Sequence, residues 1–123
     1  MAVPPVAESV AGVRRFAQHV LTDWSVAPDV IGDLVLVVSE LVTNAILHSR
    51  SPIELQLSRT SDRLVVAVHD GTTAVPRRLQ PNLDAEHGRG MQLVSAIARQ
   101  WGVRPTEHGK SVWCEIDIGL APT

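Results

Sequence analysis

The chain contains no tyrosine, and Phe16, Trp24, Trp101 and Trp113 are its whole aromatic complement. So few rings leave no stacking platform for single-stranded nucleic acid. A single cysteine, Cys114, rules out an internal disulfide. No Cys/His cluster has zinc spacing, so redox and structural-metal readings are poor. Basic residues are also short. The formal net charge is -2, whereas proteins that bind phosphate backbones or anionic membranes depend on excess Lys and Arg. Met1-Ala2-Val3-Pro4-Pro5 lacks the basic start and apolar core of a signal peptide, and the apolar run from Leu34 to Leu47 is too short and too interrupted for a bilayer span. The expectation is a cytoplasmic protein with no direct nucleic-acid contact and no membrane contact. Its 123 residues form one domain, long enough to bury a core without covalent or metal staples.

One local absence points to a site. Between Asp33 and Arg50 there is neither Lys nor Arg, yet the aliphatic stretch Leu34–His48 carries Glu40, Asn44 and His48 at four-residue spacing. On a helix these three share one stripe, with Ser39 and Thr43 beside them. A solvated amphipathic face is the commoner origin of such spacing. Here the missing cations and the aliphatic crowding favour a stripe that faces a pocket, because buried polar groups need partners or a ligand.

In chain order, residues 1–6 form an extended arm, since Pro4 and Pro5 forbid an earlier helix start. A first helix fits Ala7 to about Trp24, with Val10, Val13, Phe16, Ala17, Val20 and Leu21 at helical spacing. Pro28 and Asp29 open a second helix running to about Ser49, proline and a carboxylate both suiting a first turn. Leu34–Val38 alone would also suit a buried strand. The stretch from Pro28 to Pro52 has no internal turn signal, however, and its polar positions repeat every four residues rather than every two. Beyond Pro52 the period becomes two: Ile53, Leu55 and Leu57 alternate with polar neighbours, and Leu64–Val68 follows after a short polar connector, which predicts an antiparallel hairpin. From Gly71 to His87 no period survives, and a loop of this length is more often functional than accidental. A third helix is expected from about Gly90 through Gln100, then strands Val103–Thr106 and Ser111–Ile118 around a Gly109 turn. Hairpin strands with helices enough to cover one face make an α+β two-layer sandwich.

Three further features fall at element ends, where sites are usually assembled. Asp70-Gly71-Thr72 follows the most apolar strand, although an isolated Asp-Gly more often just begins a turn. Gly88-Arg89-Gly90-Met91 leads into the third helix, where free N–H groups attract phosphate; a glycine pair also marks ordinary loop-to-helix junctions. Gly109-Lys110-Ser111 sits in the last hairpin, and a turn alone explains it well. In combination they are specific. A helix with Glu-x-x-x-Asn, a strand ending in Asp-Gly-Thr, Gly-Arg-Gly-Met opening a helix, and Gly-Lys-Ser-Val-Trp in a final strand resemble the ordered boxes of the GHKL (Bergerat-fold) ATP-binding superfamily. Within it, Ser-Glu-Leu-Val-Thr-Asn-Ala-Ile-Leu-His and Gly-Lys-Ser-Val-Trp-Cys-Glu-Ile look most like the stand-alone anti-sigma-factor serine kinases and their actinobacterial relatives. The resemblance covers about residues 8–118.

The resemblance implies the Bergerat fold, with a mixed, mainly antiparallel sheet covered on one face by about three helices. It implies that Asn44 coordinates a Mg²⁺ bridging the ATP phosphates and that Glu40 is the general base. Asp70 would accept a hydrogen bond from the adenine amino group, with Gly71 and Thr72 bordering the base. Gly88, Arg89, Gly90 and Met91 would form the phosphate-facing turn, and Ser111 would help close the adenine end. The implied partners are a sigma factor and an antagonist protein phosphorylated on serine or threonine, with dimerisation implied by the family alone. A non-catalytic, nucleotide-dependent binding module that controls a transcription factor is the alternative, and the retained Glu40 favours the kinase. A sensor histidine kinase fragment is weaker, because no helix with a phospho-accepting histidine precedes the domain within this sequence. The family's N-terminal strand is not visible, so that edge of the sheet is expected to be reduced or supplied by a partner.

Overall fold

Two long helices form where apolar residues recur at helical spacing. α1 spans Ser9–Asp23 and buries Val13, Ala17 and Leu21; α2 spans Pro28–His48, with Pro28 at its start and Asp29 in its first turn. The computed structural model describes residues 1–49, 51–71 and 92–118. Between the helices Ser25 takes a left-handed conformation at φ 58°. There the Val26 N–H donates to the Leu21 carbonyl and the Ser25 N–H to the Thr22 carbonyl, which caps α1 and turns the chain back. α2 then packs against α1 on one side and against β2 (Ile53–Arg59) and β3 (Arg63–Asp70) on the other.

The sheet has the order β1-β2-β3-β5-β4, where β1 is Ala2–Val3, β4 is Gln100–Pro105 and β5 is Lys110–Asp117. Every pairing among the described strands is antiparallel. Alternation puts Leu64, Val66 and Val68 of β3 and Val112, Cys114 and Ile116 of β5 on the face that meets the helices, all of them buried. Arg63, Val65, Ala67 and His69 point the other way and are partly exposed.

Two sequence expectations need correction, and a third is met in part. The N-terminal strand, not visible in the sequence, is present in reduced form: the two residues of β1 pair with β2 through Val3↔Ile53, and the Met1 ammonium donates to the Leu55 carbonyl at 2.8 Å. Two residues held through backbone contacts leave too short a pattern to read. The third helix ends early. Residues 92–97 are helical, but Gln100 and Trp101 already belong to β4, opposite Glu115 and Cys114; Trp101 has exchanged a helical role for a sheet-facing one. Finally, α2 is long enough to cross a bilayer, with a mean hydropathy of 1.9, because the helix starts six residues before Leu34. One face of it is spent on the core, where Leu34, Val37, Val38, Leu41 and Val42 are fully buried, while Leu36 and Leu47 are exposed.

Burial pushes the Cys114 thiol up from an ordinary value of 9.0 to about 12. The thiol is therefore neutral and shielded, and alkylation by iodoacetamide at neutral pH is expected only as fast as the protein opens. A native-state rate matching that of the urea-unfolded chain would refute this. The sign for stability follows from linkage: the unfolded chain loses this proton at lower pH than the folded one, so the contribution is intact below about pH 9 and is lost as pH rises towards 12.

Candidate functional site

α2 presents its polar stripe at three consecutive turns. Asn44 is buried, at 4% exposure, and its Oδ1 has no hydrogen-bond partner among the described residues. A buried acceptor left unmatched costs about 1–3 kcal/mol, which calls for a ligand. Glu40, one turn earlier, is half-buried, as is His48 one turn later. Ser39 does not join them, because its hydroxyl is committed to the Leu36 carbonyl at 2.9 Å. An amide oxygen is a hard, neutral donor suited to Mg²⁺, an ion that uses few protein groups beside water and substrate phosphate. Among the described residues no group of three or more His, Cys, Asp or Glu could hold a metal by itself. Asn44 thus fits a metal shared with a ligand, not a self-contained metal centre.

The second part of the site lies at the end of β3. Asp70 is buried, and both carboxylate oxygens accept from Lys110 Nζ at 3.0 Å. These two residues are direct cross-strand partners on the helix-facing side of the sheet. Ser111 is not beside Asp70. It pairs with His69, and alternation turns its side chain to the opposite face. The sequence reading missed Lys110, yet a signal was present: Lys110 shares parity with Val112, Cys114 and Ile116.

A short hydrogen-bonded chain joins the two parts. The Gly71 N–H donates to Ser51 Oγ at 2.7 Å, and Ser51 Oγ meets Ser49 Oγ at 2.7 Å. Ser49 is the residue that ends α2, so the C-terminal end of this helix is pinned to the end of β3. Beside them the β4–β5 turn, closed by the Thr106 N–H on the Gly109 carbonyl at 2.9 Å, comes so close that a Cβ on Gly109 would collide with the Asp70 carbonyl and the Gly71 backbone. Gly109→Ala is expected to cost about 1–3 kcal/mol in urea unfolding, as overpacking does. Gly32→Ala, an exposed helical position where a Cβ meets nothing within 4 Å, should instead gain about 0.5–1 kcal/mol. Equal effects of the two variants would refute the close approach.

A cavity of about 350 Å³ reaches Asp70 and Gly71 from the strand ends, lined also by Ile53, Glu54, His69 and His108; Glu40 and Asn44 are outside it. Among the described residues the two parts are tied by Ser49 and Ser51. Thr72, Gly88, Arg89, Gly90 and Met91, expected at the base and phosphates, lie outside the described residues.

The sequence profile of the histidine kinase-like ATPase domain matches residues 3–116. The chain belongs to this family. It is an ATP-binding domain of the GHKL superfamily, and its antiparallel α+β sandwich is the architecture expected of one. Among solved structures, the histidine kinase domain of the Erythrobacter litoralis EL346 blue-light activated histidine kinase is 29% identical, with a TM-score of 0.53, and the match covers 72% of this chain and 44% of that one. A second structure, described as the Erythrobacter litoralis EL346 blue-light activated histidine kinase, is 27% identical with a TM-score of 0.60, over 76% of this chain and 32% of that one. This histidine kinase-like ATPase domain thus spans less than half the length of either structure. No curated protein matches it significantly.

Proposed function

We propose that this domain binds Mg-ATP and transfers the γ-phosphoryl group to a serine or threonine hydroxyl of an antagonist protein, as an anti-sigma-factor-type regulator in the cytoplasm. The observation that carries the reading is the buried, unmatched Oδ1 of Asn44 one turn from the half-buried carboxylate of Glu40, within a domain whose family binds ATP. In this scheme Asn44 holds the Mg²⁺, which supplies neutralising charge at the phosphates. Glu40 removes the proton from the acceptor hydroxyl as its oxygen bonds to the γ-phosphorus. The bond from that phosphorus to the β,γ-bridging oxygen breaks, and ADP leaves with the bridging oxygen and its electron pair.

The structural relatives carry the name histidine kinase, so the acceptor must be tested directly. The experiment is to incubate the protein with γ-labelled ATP and cytoplasmic proteins and to treat the labelled product with acid. A serine or threonine ester survives, whereas a phosphohistidine hydrolyses. Acid-stable label on a partner supports the proposal. Acid-labile label would move it to histidine chemistry, and ATP-dependent partner capture with no label transfer would leave a non-catalytic binding module.

A further inference from the structure

The buried pair of Asp70 and Lys110 has no part in the phosphoryl chemistry, and it is an unusual thing to keep. Two charges taken out of water gain little net stability over apolar side chains of similar volume. Both are inside: the side chains are 1% and 4% exposed. We propose that Lys110 is a specificity-determining residue of the nucleotide site, donating a hydrogen bond to the adenine ring nitrogen N1 beside the 6-amino group that Asp70 accepts from. This inference rests on the nucleotide reading above.

The geometry supplies the complement. Lys110 and Asp70 are directly opposite across β5 and β3, on the helix-facing side, with Nζ at 3.0 Å from each carboxylate oxygen. An ammonium has three N–H donors and two serve Asp70, which leaves a third for a ligand. A carboxylate accepts about four hydrogen bonds, so Lys110 does not exclude a second donor. The pair therefore presents an acceptor and a donor side by side. The adenine edge presents the reverse, an amino donor at position 6 beside an acceptor at N1. Guanine carries a carbonyl oxygen at position 6 and an N–H at N1, so in the same pose both contacts are inverted. In a buried site an inverted contact leaves polar groups unmatched, and such mismatches discriminate strongly. The lack of a Cβ on Gly109, the residue before Lys110, lets the turn close on the backbone of Asp70 and Gly71.

If Lys110 were only a counter-ion to Asp70, it would be indifferent to the atom at position 1. The test is to titrate the parent protein with Mg-ATP, with 1-deaza-ATP, which has C–H in place of N1, and with purine riboside triphosphate, which lacks the amino group. Loss of one hydrogen bond to a charged donor corresponds to roughly 10- to 100-fold. The parent is expected to bind 1-deaza-ATP weaker than ATP by that factor. Lys110→Met should bind the two alike, and Lys110→Gln, which keeps an N–H donor, should retain part of the difference. Equal binding of ATP and 1-deaza-ATP by the parent overturns the proposal, as does full discrimination by Lys110→Met. If Lys110→Met does not fold, the parent comparison and Lys110→Gln decide the matter. Failure of the parent to bind any of the three would sink the nucleotide reading itself, a different outcome from binding without discrimination.

Discussion

Replacing Asn44 by leucine is expected to remove magnesium-dependent ATP affinity, on the order of 100-fold, while leaving the ligand-free fold as stable as the parent or more so. Removing even a supporting partner of a metal ligand typically costs 10–100-fold, and the loss of a ligand is at least as severe. The stability arm has the opposite sign. Oδ1 is buried with no partner among the described residues, and such an acceptor carries a desolvation penalty of about 1–3 kcal/mol that an apolar side chain of similar volume does not. Thermal unfolding without nucleotide should therefore show an unchanged or raised Tm. Calorimetry is the second measurement: unchanged Mg-ATP binding would refute the metal assignment, and a sharply lowered Tm would show that the amide serves the fold instead. Lost binding together with undiminished stability is the mark of a residue retained for its ligand.

Glu40→Gln is expected to divide the site the other way. The amide keeps the size and most of the polarity of the carboxylate, so Mg-ATP should bind as in the parent. Phosphotransfer to the cognate acceptor should fall by roughly 10²- to 10⁴-fold, the usual contribution of a general base. Equal transfer by variant and parent would end the proposed role. A parallel loss of nucleotide binding would assign Glu40 to the metal or the phosphates. The two α2 variants thus separate what a polar stripe on one helix cannot separate by spacing alone.

The helices, the hairpin of β2 and β3 and the last strand were legible because each carries a sustained period: three to four in α2, two in Ile53–Leu57 and Leu64–Val68. β1 was not, because two residues cannot show a period and their attachment is through backbone groups. The boundary at Gln100 was misplaced for a different reason. Ile97, Ala98 and Trp101 fit a helical face equally well, and only pairing of Trp101 with Cys114 settles the matter in favour of the sheet. At the site, Asn44 and Asp70 could be picked out by residue type and position. Lys110 was passed over although it shares parity with Val112, Cys114 and Ile116, because Gly109-Lys110-Ser111 reads equally well as a plain turn. A one-residue difference in parity exchanges one face for the other, so Ser111, which the resemblance puts at the adenine end, pairs with His69 while Lys110 pairs with Asp70.

The Ser49–Ser51–Gly71 link has a consequence for what the domain can measure. It pins the end of α2 to the end of β3, so the span from the Asp70 carboxylate to the Asn44 amide is set by the frame of the protein and not by the bound molecule. On the proposed reading, one end of that span holds the base and the other the phosphates. The frame then acts as a ruler. AMP, too short to engage both ends, should gain only the base contacts, and the energy state of the cell would be read as a length.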